Sequence, residues 1–130
     1  MKITDIKINL MEGPKTEDAK QFVGGASKVL LRIETDEGIF GIAEGGRNYN
    51  LFKAYLEETI NPLLIGIDPR NPKMIWEMLT HGTGQGLATK LIPQVVGTID
   101  VALWDLSGKA AGLPVYKLLG GAARTEIPLY

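Results

Sequence analysis

The sequence predicts an α+β domain in which a three-stranded antiparallel sheet is followed by a helical bundle. Three observations carry that prediction. Period-two alternation of apolar residues is confined to the part of the chain before residue 45, helical spacing fills most of the chain after residue 50, and a glycine-containing turn joins two of the extended runs. Strands first and helices afterwards is the arrangement in which one face of a sheet is covered by a helical layer.

The first strand is read from "KITDIKINL", where Ile6, Ile8 and Leu10 alternate with Lys7 and Asn9 and define one apolar face. In "KVLLRIETDEGIFGIAE", Val29, Leu31 and Ile33 share a face. Asp36, Glu37 and Gly38 form a turn, and the chain returns through Ile39, Phe40 and Ile42. Gly38 can adopt the positive φ that such a tight loop favours, so residues 28–44 are expected to be a hairpin.

The period lengthens at Asn50, the expected N-cap of "LFKAYLEETI", in which Phe52, Tyr55, Leu56 and Ile60 recur at helical spacing until Asn61 and Pro62 stop the helix. "RNPKMIWEMLTHG" predicts a second helix, with Asn71 as N-cap and Pro72 at its first position. Ile75, Trp76, Met78 and Leu79 face inward, and Gly82 is the stop. Gly82, Gly84 and Gly86 make a glycine-rich connection. The longest helix starts between Ala88 and Pro93 and runs to Gly112, which is placed to follow the helix end before Pro114. A short helix from Pro114 to Leu119 ends at Gly120 and Gly121, and "TEIPLY" is extended.

A length of 130 residues suits one domain and falls well short of the roughly 250 that a (β/α)₈ barrel uses. Lysine and arginine number 14 against 15 acidic residues, with no basic cluster, so no nucleic-acid partner is expected. The lack of cysteine removes disulfides, thiolate nucleophiles and cysteine zinc sites, and suits a reducing, cytoplasmic setting. "MKITDIKINL" mixes charge with apolar residues and is read as neither signal peptide nor membrane span.

The chemistry-bearing residues form no self-contained active site. Asp100 and Asp105 lie about 140° apart around a helix, so they cannot converge as an acid/base pair. Asp105 precedes Lys109 by four residues, the favourable order for a helix ion pair. "HGTGQG" follows a helix and "VGGASK" lacks the spacing of a phosphate loop, so neither predicts a nucleotide site. Ser27, Ser107 and His81 do not form a nucleophile-and-base pattern. One histidine and no cysteine leave a metal only carboxylates, and Asp36, Glu37, Glu57 and Glu58 read as solvated charges. No catalytic residue and no metal ligand are therefore assigned.

Two loops remain. Residues 11–27 form a long connection with little periodicity, ending in Phe22, Val23, Gly24, Gly25, Ala26 and Ser27; Arg47, Asn48, Tyr49 and Asn50 follow the third strand. An apolar lip beside polar groups at one end of a sheet suits ligand enclosure. Phe22, Val23, Gly24, Ser27, Asn48 and Tyr49 are the candidate substrate-binding residues. The long helix adds a further clue. Val95, Val96, Ile99, Ala102, Leu103, Leu106 and Ala110 form one apolar stripe, while Val101 and Trp104 extend apolar surface to a second side that something beyond the sheet must cover.

"IDVALWDLSGKAAGLPVYKLLGG", followed by Arg124 and an extended segment, resembles the domain junction of the mandelate racemase and muconate lactonizing enzyme group of the enolase superfamily. "VLLRIETDEGIFGIAEG" resembles that group's hairpin and "INPLLIGIDPRNPKMIWEML" its next two helices, with Ala43 standing where many members have glycine. The resemblance implies an N-terminal capping domain over residues 1–125, with residues 126–130 beginning the first strand of a barrel that this chain lacks. It also implies that residues 11–27 and 46–50 are the loops that enclose a carboxylate-bearing small molecule.

In that group a lysine or histidine on the barrel abstracts a proton beside a carboxylate, and Mg²⁺ stabilises the resulting enediolate. The implied partners are the missing C-terminal barrel and, as in many members, further copies of the chain. The implied reaction is that of an acid-sugar dehydratase, racemase or cycloisomerase, with the isolated chain inactive and binding no Mg²⁺ itself. The residues alone also admit a self-sufficient, non-enzymatic binding or interaction domain.

Overall fold

The computed structural model describes residues 1–12, 28–46, 48–81 and 93–129. Three antiparallel strands, β1 (Ile3–Met11), β2 (Lys28–Thr35) and β3 (Phe40–Gly45), lie in the order β1-β2-β3. One face is covered by helices, as the sequence predicts. Val29, Leu31 and Ile33 of β2 are fully buried, and Gly38 takes a φ of 76° in the hairpin turn.

The two outer strands depart from the simple alternation. In β1 the pairing shifts between Ile3 and Asp5, so that Ile3 faces Thr35 and Asp5 faces Glu34. This irregularity puts Ile3 and Ile6 on the same buried face; Leu10, which shares the face of Ile6 by parity and was expected inside, is 42% exposed near the end of the strand. In β3 the helix-facing positions are Gly41 and Ala43, with Gly45 half-buried at the strand end, and Ile42 points outward.

The reason is steric. A β-carbon on Gly41 would lie 2.0 Å from the carbonyl oxygen of Ala102 and 2.8 Å from the β-carbon of Leu106. Only a strand with small inward side chains lets the long helix approach this closely.

Helix α1 (Tyr49–Tyr55) runs into a five-residue π-helical turn (Leu56–Ile60) and then α2 (Asn61–Leu64). Its N-cap is Asn48, whose Oδ1 accepts the Leu51 N–H at 3.2 Å; the helix thus starts before the expected cap at Asn50. Nor do Asn61 and Pro62 end it. Pro62 has no N–H, and in a regular helix its ring would crowd the carbonyl of residue 58. The wider turn just before it, closed by Asn61 N–H to Leu56 C=O, accompanies continuation of the helix to Leu64. Phe52, Leu56, Ile60 and Leu64 enter the core from this element.

Helix α3 (Pro72–Thr80) has the expected Asn71 cap, with Asn71 Oδ1 accepting Met74 N–H at 3.2 Å, and buries Ile75 and Leu79. Trp76, expected inside, is 38% exposed, because it lies about 100° around the helix from Ile75. The expected stop at Gly82 lies outside the described residues.

Helix α4 (Pro93–Ala111) buries Val95, Val96, Ile99, Ala102, Leu103 and Leu106, and Gly112 follows it with a φ of 65°. It packs mainly on β3, while α3 packs on α4. Helix α5 (Val115–Leu118) follows Pro114, and residues 121–129 belong to neither helix nor sheet.

Both sheet edges are capped from within the chain. On the β1 side, Ile3 N–H donates to Ile67 C=O at 2.9 Å, and Ile3 C=O accepts Gly66 N–H at 2.8 Å. On the β3 side, Ile42 N–H donates to Asp105 Oδ2 at 2.9 Å, and Lys109 Nζ donates to Phe40 C=O at 3.0 Å. These bonds engage the edge backbone at Ile3 on one side and at Phe40 and Ile42 on the other.

Candidate substrate-facing loop end

The antiparallel order places the end of β1, the start of β2 and the end of β3 at one edge of the fold. Of the six candidate residues, Asn48 and Tyr49 are described there, whereas Phe22, Val23, Gly24 and Ser27 lie outside the described residues.

The corner leading to Asn48 is built from glycine. A β-carbon on Gly45 would lie 3.0 Å from Phe52 Cε1 and 3.4 Å from Thr98 Cγ2. Gly46 is buried, and its C=O accepts the Val29 N–H at 3.3 Å. Asn48 holds the start of α1 twice, through its Oδ1 to Leu51 N–H and its C=O to Phe52 N–H at 3.0 Å. This capping uses the amide oxygen of the exposed Asn48, and the amide nitrogen carries the donors that a carboxylate or hydroxyl ligand needs.

Tyr49 is half-buried against the core and borders a groove of about 300 Å³ with Asp5, Lys7, Lys53, Glu57 and Asn61. The groove carries both signs of charge. Lys7 Nζ lies 3.0 Å from Glu34 Oε1 and 3.5 Å from Asp5 Oδ2. The Lys7–Glu34 hydrogen bond raises the lysine's pKa and lowers the glutamate's, and Lys53 sits 3.7 Å from Glu57. Asn61 Oδ1 is buried there without a hydrogen-bond partner among the described residues.

A larger cavity, about 370 Å³, lies elsewhere, between the start of α3 and the second half of α4, where Arg70, Trp104, Ser107 and Leu118 line it. From Gln94 to Ser107 along α4 is roughly 20 Å, so this cavity is remote from the loop end. Its charged group is already committed, since Arg70 clasps Asp68 with Nη2 at 2.5 Å and Nε at 3.0 Å, although Ser107 Oγ is buried there without a partner among the described residues. We place the candidate site at the loop end, where polar groups remain available, rather than in the larger but more apolar hollow.

The aspartates of α4 have separate structural roles. Asp105 meets Lys109 at 2.6 Å, as its spacing predicts, and in addition binds the edge of β3. That second bond had no signal in the spacing of residues. Asp100 is raised in pKa by burial, with a hydrogen bond from Trp104 acting in the opposite direction.

Most other described carboxylates are paired with lysine, arginine or the N-terminus: Glu44 meets Lys28 and Glu37 meets the Met1 ammonium at 2.6 Å, while Glu77 lies 3.0 Å from His81 Nδ1. No group of three or more carboxylate or imidazole side chains converges among the described residues. The described residues do not fit a magnesium site.

Three antiparallel strands packed under one long helix define an α+β domain of the enolase-like N-terminal type. The family model for the mandelate racemase / muconate lactonizing enzyme N-terminal domain matches residues 7–120, and the chain belongs to that family.

Among curated relatives, D-mannonate dehydratase of Novosphingobium aromaticivorans is 40% identical over 111 residues, covering 82% of this chain and 27% of the relative. Among solved structures, one of a Bordetella bronchiseptica RB50 protein described as a mandelate racemase, complexed with 2-oxoglutarate/phosphate, superposes with a TM-score of 0.79 at 32% identity. It covers 95% of this chain and 33% of that one. An enolase from Agrobacterium radiobacter, bound to Na and L-malate, gives a TM-score of 0.73 at 27% identity, covering 95% and 29%. The chain thus spans about a third or less of the length of these proteins. No described helix is long and apolar enough to cross a membrane.

Proposed function

We propose that this chain is the substrate-enclosing, specificity-determining cap of a cytoplasmic, magnesium-dependent acid-sugar dehydratase, racemase or cycloisomerase. Its partner is a C-terminal barrel that carries the metal ligands and the catalytic base. The observation that carries this reading is the two-sided character of α4. One side is buried on the sheet, while Val101 is 57% exposed, and the chain beyond α4 leaves Tyr116 and Leu119 at 50% and 63%. Such a surface calls for a cover that the described residues do not supply.

The pairing of most described carboxylates with cations supports a role apart from the bond-making chemistry. The carboxylate ligands named for two solved relatives, 2-oxoglutarate and L-malate, support a carboxylate substrate class. In this reading Asn48 donates through its amide nitrogen to a substrate oxygen, and Tyr49 supplies part of the wall. Phe22, Val23, Gly24 and Ser27 of the first loop complete the enclosure. The barrel's residues would hold the Mg²⁺, which would supply charge stabilisation to the substrate there. The family match does not favour a self-sufficient interaction domain.

The test is a steady-state assay of the barrel-bearing protein with Mg²⁺ against a panel of acid sugars that includes D-mannonate. Turnover of one panel member, with kcat/KM lowered on the order of tenfold to a hundredfold by Asn48→Ala, is expected. No turnover of any member, or an Asn48→Ala enzyme indistinguishable from its parent, overturns the reading.

A further inference from the structure

We propose that Gln94, in the first turn of α4, is a positioning residue for the loop that presents Asn48 and Tyr49. A β-carbon on Gly46 would lie 2.4 Å from Cδ, Oε1 and Nε2 of Gln94, so the side-chain amide of Gln94 fills the space beside Gly46. Gly46 is buried, although Gln94 itself is exposed. One helical turn further along, Thr98 is buried, donates its hydroxyl to the Gln94 C=O at 2.8 Å, and turns its methyl toward Gly45. Phe52 closes Gly45 from another side. Gln94 and Thr98, four residues apart on one face of α4, therefore form a seat for two consecutive glycines.

Asn48 follows two residues later and directs α1 through its bonds to Leu51 and Phe52. The fit works in both directions. Gly46 admits Gln94 because it has no side chain, and Gln94 limits where the Gly46 backbone can lie. The size and shape of residue 94 thus set the angle at which the candidate binding residues leave the sheet, although Gln94 need not touch the ligand. The consequence for catalysis rests on the proposed function above, whereas the mechanical coupling does not.

The coupling is read by amide hydrogen exchange of the 130-residue chain. Val29 N–H reports on Gly46, to whose C=O it donates, and Leu51 N–H reports on Asn48. In Gln94→Ala, exchange at Val29 and Leu51 accelerates on the order of tenfold. Ile42 N–H and the amides of α3 hold their rates, and the urea midpoint is unchanged. Gln94→Glu, which keeps the shape of the side chain, restores slow exchange. Unchanged exchange at Val29 and Leu51 overturns the proposal. So does uniform acceleration with a lowered midpoint, because Gln94 would then be a general stabiliser.

In the barrel-bearing enzyme, Gln94→Ala raises KM about tenfold for the acid sugar that is turned over and leaves kcat within about twofold; Gln94→Glu recovers KM. A fall in kcat alone counts against positioning. If Asn48→Ala is silent, the functional reading fails while the exchange result stands; if Asn48→Ala is damaging and Gln94→Ala is silent in both assays, the positioning proposal fails by itself.

Discussion

Asp105 on α4 accepts the backbone N–H of Ile42 on β3 at 2.9 Å, and so fastens the longest helix to the free edge of the sheet. The same carboxylate holds Lys109 at 2.6 Å, and Lys109 in turn donates to Phe40 C=O at 3.0 Å. Two cations lie over the Phe40 ring, the Arg32 guanidinium 3.8 Å and Lys109 Nζ 4.5 Å from its centre. An aspartate within an apolar signature is thus a fastener. Asp105→Ala is expected to lower unfolding stability by about 1 to 2 kcal/mol, most of it from the charged hydrogen bond to Ile42. Asp105→Asn, which keeps a carbonyl acceptor, recovers part of that loss. Urea denaturation measures both, and an unchanged midpoint in Asp105→Ala would exclude the fastening role.

Gly41→Ala places a methyl group where the Ala102 carbonyl already lies, so strand and helix must move apart. The expected loss is about 3 kcal/mol. Gly97, within the same helix, has open space where a β-carbon would lie and no positive φ; Gly97→Ala is expected to stabilise by about 0.5 to 1 kcal/mol. Thermal melts of the two variants should shift in opposite directions. Shifts of the same sign would refute the close-approach account of β3.

Acid stability should report on Asp68. Hydrogen bonding from the Arg70 side chain, and then from its backbone N–H, holds the Asp68 carboxyl down to about 2. A carboxyl lowered on folding stabilises the native state fully above its ordinary value, and that contribution fades as pH falls from about 4 toward 2. Asp68→Asn is expected to flatten the stability profile in that window and to leave its shape near neutrality unchanged. A variant profile parallel to the parent between pH 4 and 2 would contradict the pairing.

Val101 separates the stability of this chain from its association with a larger domain. At 57% exposed, Val101→Lys should leave the urea midpoint of the chain within about 0.5 kcal/mol of the parent. In the barrel-bearing protein the same change buries a charge and should lower thermal stability clearly. Equal behaviour in the two settings would show that this surface stays in water.

Much of the scaffold was legible in the residues. Val29, Leu31 and Ile33 gave β2 its buried face, the Asp105–Lys109 spacing predicted an ion pair, and Gly112 marked the end of α4. What escaped were features set by the partner of a residue rather than by its type. Gly41 and Ala43 form the inward face of β3 because a helix backbone lies against them, and the returning run through Ile39, Phe40 and Ile42 carried no sign of which face that would be. The β1 irregularity changes which isoleucines are buried, and the π-helical turn before Pro62 accompanies a helix that proline was expected to end. At the candidate site, Asn48 was visible as a polar residue after a strand. Its capping bond, the Gly45–Gly46 seat and Gln94 were not, since the seat depends on contacts across nearly 50 residues of chain.

The division of labour between cap and barrel is tested most directly by measuring turnover of the acid-sugar panel with Mg²⁺ by the 130-residue chain, alone and joined to a family barrel. No turnover is expected from the chain alone, and turnover from the joined protein. Turnover by the chain alone would rule out this division.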